Sequence, residues 1–227
     1  FITPVILGLI IFRFGPVFVS LYLSFTKYDI LSPPKWIGLQ NYRTLFTSDL
    51  TLNLYCSTIK FTVFTWVFSL ILGFWVAYFL VFHVRNQLLA LGLFLLCTVP
   101  FWTSNIIRMI SWIPLLGKEG LINSALISVG IIDQPLEILL FSSLAVVIAY
   151  VHQLTIFMVV PIFNTLMRID RSLIEAAEDC GASGWQTLWN VVVPLAKPGI
   201  AIGSIFVVTL VMGDFVTVRF MSGGQSA

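Results

Sequence analysis

Five long apolar runs constrain this chain more than any other feature. They cover residues 1–25, 57–82, 88–113, 138–167 and 191–213 approximately. Each is long enough to cross a bilayer as a helix, which takes about 20 apolar residues. Only 10% of the residues are charged, against about 25% in a soluble domain, so the surplus apolar surface must face lipid. None of the runs shows the alternating polarity of a barrel strand. The sequence therefore predicts an all-α integral membrane protein with about five transmembrane helices.

The third run is the least regular of the five. Pro100 interrupts it, and Trp102, Asn105 and Arg108 follow within a stretch that should lie deep in the membrane. Polar groups at that depth must be satisfied inside the protein or by water in a cavity. Two interpretations remain open: a kinked helix whose polar face packs on its neighbours, or the wall of a path for a solute. After this run, we expect a short interfacial helix at about 121–132.

The remaining general features exclude some classes of protein. Cys56, Cys97 and Cys180 are scattered, with no CxxC spacing, so we interpret them as small apolar residues rather than a disulfide set or metal site. A net charge of +2 gives no indication of nucleic-acid binding. Phe1 starts inside an apolar run and is not preceded by a charged leader. We expect residues 1–227 to form one membrane domain of a longer protein, truncated at both ends.

A polar segment, residues 168–194, separates the last two apolar runs. Ser172 and Glu175 match a capping box, which predicts a helix that begins there. Gly181 is well placed to end that helix in a left-handed conformation. Ser183 and Gln186 form a second capping box, and we expect Pro194 to bend the second short helix into the fifth crossing. The segment is therefore predicted to be two short helices joined at a glycine corner.

The 168–194 segment also carries features of a docking surface. Ala176 and Ala177 are small enough to let another backbone approach, and Leu173 and Trp185 offer apolar contacts. A short amphipathic helix laid into a groove of a partner is a common recognition mode. On these residues alone, a hairpin on the membrane surface without any partner remains an equal alternative.

The spacing within this segment resembles the EAA loop of the permease subunits of ABC importers. Glu175-Ala176-Ala177, then Gly181 and Pro194, stand at the spacing of that motif, and Val191 and Val193 replace its usual Ile and Leu. The resemblance implies a cytoplasmic loop that seats in a groove of an ATPase subunit. The implied docking residues are Glu175, Ala176, Ala177, Gly181, Ala182, Trp185 and Pro194. The resemblance also gives the orientation of the chain in the membrane. The distribution of Lys and Arg between the two sides does not decide it.

Other stretches resemble different branches of the same family. Residues 98–108 and 213–216 resemble the spermidine/putrescine permeases, whereas residues 20–29 and 33–42 resemble carbohydrate permeases. Family members continue through a sixth crossing, which implies that this chain is incomplete. If the solute is a polyamine, its path should offer acceptors and aromatic faces to ammonium groups. The candidates are Trp102, Asn105, Tyr150 and Asp214, while Arg108 is expected to pair with an acid or to face away.

The sequence contains no G-x-x-x-x-G-K-[ST] motif, so the chain is not expected to bind ATP through a Walker A loop. We interpret it as the non-catalytic permease subunit of a polyamine importer in the bacterial inner membrane, working by alternating access. It should bind no cofactor itself, with ATP and magnesium held by a partner ATPase dimer. The other expected partners are a second permease subunit, a periplasmic solute-binding protein and membrane lipid.

Three alternatives stay open at this point. A carbohydrate importer would use the same fold with a different solute path. An ion channel or secondary transporter would use Arg13, Arg108 and His152 as intramembrane charges, although a lone His in such a helix is more commonly a packing residue. A membrane-embedded enzyme would need an exposed cluster of nucleophile, base or acid, and none stands out in the sequence.

Overall fold

The computed structural model describes residues 3–29 and 32–223, about four fifths of them helical. The chain divides into two compact units, residues 1–56 and 57–227, with the boundary inside α3. The elements of the first part, in chain order, are α1 (Thr3–Ser24), β1 (Thr26–Asp29), β2 (Ser32–Trp36), α2 (Gln40–Thr47) and α3 (Asp49–Tyr78). The rest are α4 (Gln87–Thr98), α5 (Asn105–Leu116), α6 (Leu121–Ser128), α7 (Ser143–Leu166), α8 (Arg171–Asp179), α9 (Gly184–Thr187), α10 (Val193–Gly213) and α11 (Val216–Met221).

The described residues contain four helices long and apolar enough to cross a membrane, or five crossings if one bent pair counts as a span. The four are α1, the helix Asp49–His83, α7 and the helix Gly184–Gly213. The helical, five-crossing fold class expected from the apolar runs is thus confirmed. The second crossing begins at Asp49, about eight residues before its predicted start, and the interfacial helix α6 ends at Ser128, earlier than predicted.

The third apolar run is the bent pair. Its two halves, Gln87–Trp102 and Asn105–Ser128, meet at an angle of 92°. Pro100 lies in a 3-10 turn, Val99–Trp102, and the non-helical residues Thr103 and Ser104 follow. A proline lacks the N–H that a helix needs and disfavours helical geometry in the residue before it. The predicted kink is therefore a right-angled break, and the expected single crossing at 88–113 is two segments.

In the first unit, a short antiparallel hairpin and α2 follow α1. β1 pairs with β2 through Thr26 opposite Trp36 and Lys27 opposite Lys35. The side-chain amide of Asn41 donates to the backbone carbonyls of Ser24 and Thr26, both at 2.9 Å. The rings of Phe25 and Trp36 stack at 5.5 Å. This hairpin was not expected from the sequence, in which two prolines and a lysine obscure the short strand β2.

In the second unit, α7 is the central helix. Its buried residues include Ala149, Tyr150, Met158, Ile162 and Leu166, all with no exposed surface. Glycines on the neighbouring helices allow close approach: a Cβ at Gly73 of α3 would lie 2.8 Å from the Met158 Cβ. A Cβ at Gly203 of α10 would lie 2.6 Å from the Met158 sulfur. Met158 is therefore packed between two backbones, in the manner of small-residue helix contacts in membranes.

The last long helix is continuous from Gly184 to Gly213. It consists of α9, a π-helical turn at Leu188–Val192, and α10. Pro194 is the second residue of α10, which begins directly after the π turn. The predicted short helix that leads into the fifth crossing at Pro194 is therefore the first part of that crossing. At about 1.5 Å per residue, these 30 residues make a rod roughly 45 Å long.

Candidate functional site: the 168–194 segment and a polar pocket

The helix α8 begins with a different cap from the one predicted. Asp170 is the N-cap, and its carboxylate accepts a hydrogen bond from the Ser172 N–H at 3.0 Å. The predicted capping box of Ser172 and Glu175 is therefore wrong, because Asp170 is two residues nearer the preceding helix and offers a carboxylate. Hydrogen bonds from the Ser172 N–H and hydroxyl hold the pKa of Asp170 below its usual range. Glu175 stays free of a capping role.

The end of α8 is the predicted glycine corner. Gly181 has φ +79°, a left-handed conformation that costs a glycine little. The Gly181 N–H donates to the Glu178 carbonyl at 2.8 Å, and the Ala182 N–H donates to the Ala177 carbonyl at 3.0 Å. These two bonds are the Schellman pattern. They satisfy carbonyls that would otherwise be unpaired, so the corner between α8 and α9 has a fixed shape.

The second predicted capping box is confirmed at α9. The Ser183 side chain accepts from the Gln186 N–H at 3.4 Å, and the Gln186 side chain accepts from the Ser183 N–H at 2.8 Å. The start of the helix Gly184–Gly213 is thereby fixed to the glycine corner. The 168–194 segment is consequently one capped helix joined through a rigid corner to the end of a long rod.

The outer surface of this segment is partly apolar. Trp185 is 61% exposed and Trp189 is 53% exposed, with their rings in edge contact at 5.7 Å. Leu173 is also exposed. Among the predicted docking residues, Glu175, Ala176, Gly181, Trp185 and Pro194 are exposed, and Ala177 and Ala182 are half-buried. The segment therefore has an exposed apolar patch formed by Trp185, Trp189 and Leu173.

The inner side of α8 rests on the end of the second crossing. The Arg171 guanidinium donates to the Val81 carbonyl at 3.5 Å, within the π-helical turn Phe79–His83 that ends that crossing. A cavity of about 260 Å³ remains between them, lined by Tyr78, His83, Ile174, Glu175 and Glu178 among others. The segment is therefore supported by two crossings, and Glu175 lies between the outer surface and this cavity.

A polar pocket lies at the opposite end of the long rod. Its volume is about 360 Å³, and Asn105, Arg108 and Gln153 line it together with Gly213 and Asp214. The Asn105 Oδ1, the Arg108 Nε and the Gln153 Oε1 are buried, and none has a hydrogen-bond partner in the described part of the chain. Buried polar atoms without partners are costly, so these three atoms indicate a site that water or a ligand completes.

The structure separates the four predicted path residues. Asn105 and Asp214 both line the polar pocket. Tyr150 is fully buried, and its hydroxyl donates to the Asp214 carbonyl at 2.7 Å. It therefore holds the backbone of a pocket residue in place but does not line the pocket itself. Trp102 is 85% exposed and is not part of the pocket lining.

The carboxylate of Asp214 has structural partners. Its Oδ1 accepts from the Val216 N–H at 2.8 Å and the Thr217 N–H at 3.2 Å, and its Oδ2 accepts from the Thr217 hydroxyl at 2.5 Å. The carboxylate thus caps α11, which leaves less of its charge for a solute.

Arg108 lines the pocket and forms no ion pair within 3–29 and 32–223, so the expectation that it pairs with an acid or faces away is wrong.

Gln153 is a polar residue of the pocket lining that was not among the predicted path residues. It neighbours His152 in the middle of α7, where most of the surrounding residues are apolar.

The three cysteines are free, and no group of three or more His, Cys, Asp or Glu side chains suited to a metal ion is found among the described residues.

The fold and the capped segment define a membrane-embedded transport subunit, and comparison with known proteins agrees. Residues 69–226 match the family described as "Binding-protein-dependent transport system inner membrane component". The chain is 33% identical over 226 residues to the spermidine/putrescine transport system permease protein PotB of Salmonella typhimurium strain SL1344, covering 99% of this chain and 77% of PotB. It is 30% identical over 217 residues to the inner membrane ABC transporter permease protein YdcU of Escherichia coli K12, covering 89% and 68%.

A solved structure shares the fold at low sequence identity. It is a bacterial alginate ABC transporter in complex with an alginate pentasaccharide-bound periplasmic protein, with a TM-score of 0.71, 17% identity, and coverage of 97% of this chain and 77% of that one. The chain belongs to the family of inner membrane components of binding-protein-dependent transport systems. It is an ABC importer permease subunit of the inner membrane.

Proposed function

We propose that the chain admits a polyamine through the polar pocket and is driven by an ATPase subunit docked on the 168–194 segment. One observation carries this proposal: a single continuous helix joins the two sites. Gly184 begins the helix beside the capped corner, and Gly213 ends it in the lining of the polar pocket. A displacement of the docked corner would therefore be transmitted to the pocket along this one helix.

The docking step uses the exposed face of the segment. Glu175 to Gly181, with Trp185, would seat in a groove of the ATPase, where the tryptophans lose exposed apolar surface. ATP and magnesium would be bound by that partner, and its closure would tilt the rod and open the path to one side at a time. A second permease subunit would complete the path, and a periplasmic binding protein would deliver the solute. In this scheme the chain itself performs no covalent chemistry.

The polyamine assignment is supported by the similarity to PotB and by the acceptors in the pocket. The unpaired Asn105 Oδ1 and Gln153 Oε1 can accept hydrogen bonds from ammonium groups. Phe101 and Phe157, which also line the pocket, offer ring faces to a cation. Asp214 contributes a nearby negative charge even though its oxygens are engaged.

A carbohydrate is the second candidate, and Arg108 favours it. A guanidinium in the pocket repels a polycation but donates to hydroxyl or carboxylate oxygens. The discriminating variant is Arg108→Gln. For a polyamine, removing the like charge should lower the KM for uptake several-fold, whereas for an acidic oligosaccharide the KM should rise.

The experiment is ATP-driven uptake in vesicles that contain the assembled transporter. Labelled spermidine, putrescine and oligosaccharides are supplied with the cognate binding protein. We expect saturable uptake of a polyamine, with Glu175→Lys reducing the rate at least tenfold while the complex still inserts. Glu119→Lys, an exposed acid outside the segment, is the matched control. Unchanged uptake by Glu175→Lys would contradict the docking role, and uptake of oligosaccharide alone would contradict the polyamine assignment.

A further inference from the structure

An apolar groove lies between α3 and α7, away from both sites above. Its volume is about 450 Å³, and its walls are largely apolar, with Phe61, Phe64 and Phe68 from α3 and Leu144 from α7. Three polar residues, Ser57, Lys60 and Ser143, line the same groove. Phe64 and Phe68 are about half exposed. We call this feature the Lys60 groove.

The position of the groove along the membrane normal follows from the length of the second crossing. Its far end, the turn Phe79–His83, contacts Arg171 at the base of the 168–194 segment. The hydrocarbon core is about 30 Å thick, or about 20 helical residues. Counting back from Phe82 places the opposite interface near Thr62. Lys60 and Ser57 therefore lie at headgroup level in the leaflet opposite the 168–194 segment, and Phe64 and Phe68 follow deeper along the acyl chains.

The polar end of the groove is positive. Lys60 makes no ion pair within the described residues, where the one pair found is Lys118 with Glu137 at 2.6 Å. The 24-residue helix α7 begins at Ser143, so the positive end of its dipole lies at the groove. The Ser142 side chain already accepts from the Ala145 N–H at 3.1 Å, so the dipole rather than that donor is what the helix adds. The hydroxyls of Ser57 and Ser143 supply further donors, and no acidic residue lines the groove.

We propose that the Lys60 groove binds one phospholipid of that leaflet, with a preference for an anionic headgroup. The phosphate lies at Lys60 and the first turn of α7, and an acyl chain lies along Phe61, Phe64 and Phe68. An interfacial cation above a half-exposed aromatic groove matches an amphiphile with an anionic head. A transported polar solute is a poor match, because three phenylalanines and two aliphatic side chains would leave its donors unpaired.

Native mass spectrometry of the assembled transporter tests the headgroup preference. The purified complex is titrated with phosphatidylglycerol or phosphatidylethanolamine, and bound lipids are counted. Lys60→Gln should weaken phosphatidylglycerol binding by three- to tenfold and leave phosphatidylethanolamine nearly unchanged. Lys118→Gln, an exposed lysine outside the groove, should behave like the parent. Equal phosphatidylglycerol affinity of Lys60→Gln and the parent overturns the proposal.

A photocrosslinking variant identifies the occupant directly. Phe64 is replaced by benzoylphenylalanine in the complex in its native membrane, and the product is analysed after illumination. A phospholipid adduct at this position, reduced by Leu144→Trp, is the expected result. A crosslink to any polypeptide, whether this chain or a partner, would show that a protein segment fills the groove and would overturn the proposal.

Discussion

The hydroxyl of Tyr150 donates a hydrogen bond to the backbone carbonyl of Asp214 at 2.7 Å, which joins the middle of α7 to the corner where α10 ends. Tyr150 is fully buried, so its hydroxyl has no water as a substitute partner. The same corner carries the Asp214 carboxylate that caps α11. The wall of the polar pocket is thus held by one side chain from the central helix.

Tyr150→Phe should lower the free energy of unfolding by about 1 kcal/mol, because it removes the hydrogen bond between a buried hydroxyl and the Asp214 carbonyl. The melting temperature of the complex in detergent measures this change. We expect solute affinity to fall with it, since the pocket wall loses a restraint. Tyr55→Phe, at an exposed position, serves as the control. A parent-like melting temperature for Tyr150→Phe would show that the bond contributes nothing.

Gly181→Ala should weaken coupling. A side chain at φ +79° costs about 1–2 kcal/mol, which favours other conformations of the corner between α8 and α9. We expect less ATPase subunit to co-purify and slower ATP-driven uptake. Gly184→Ala is the matched control, because Gly184 lies in a helix and a Cβ there meets nothing within 4 Å. Equal coupling in the two variants would contradict the importance of the corner's shape.

Asp170→Ala should loosen α8, because it removes the acceptor that satisfies the Ser172 N–H. Hydrogen exchange of the α8 amides should become faster, and Asp170→Ser should restore much of the protection. The pKa of Asp170 is lowered in the folded chain, so its contribution is complete above the ordinary aspartate pKa and is lost as pH falls through the lowered value. The difference between parent and Asp170→Ala should therefore disappear in acid. A difference that persists there would exclude the charged cap as its cause.

Gly199→Ala should destabilise the bundle by about 1–3 kcal/mol through overpacking. The added Cβ would lie 2.6 Å from both the Pro161 carbonyl oxygen and the Thr165 hydroxyl on α7. The α7 backbone cannot move away from this Cβ without disturbing its own packing. Thermal unfolding of the complex measures the effect. Gly92→Ala, where a Cβ meets nothing within 4 Å, should be neutral or slightly stabilising. Equal melting temperatures for the two variants would refute the close contact.

The features of the 168–194 segment that depend on local chemistry were predictable. Gly181 and the Ser183–Gln186 capping box are fixed by backbone geometry and hydrogen bonds within a few residues. The start of α8 was not, because Asp170 and Ser172 are both competent caps and the choice depends on where the preceding helix ends. The sequence predicted that the second short helix leads into the fifth crossing at Pro194. It did not predict the π turn before Pro194, because such a turn has no distinct sequence pattern.

The polar pocket was only partly predictable. Asn105 and Asp214 attracted attention because they are polar residues in or beside apolar runs. Gln153 depends on which face of α7 turns inward, and a helix that is apolar on nearly all sides gives little indication of that direction. The 92° break at Thr103 and Ser104 brings α5 against α7, and a proline alone does not specify such an angle.

The π turn Leu188–Val192 has a consequence for any attempt to re-engineer this subunit. Such a turn accommodates one more residue than an α-helical turn of the same rise, so Trp185 and the residues of α10 keep nearly the angular relation of an uninterrupted α-helix. Deleting Asn190 would convert the turn to ordinary α-helix and leave the tryptophan pair on nearly the same side of the axis. Deleting a residue inside α10 would instead rotate the pair by roughly 100° and present the wrong side to its neighbour.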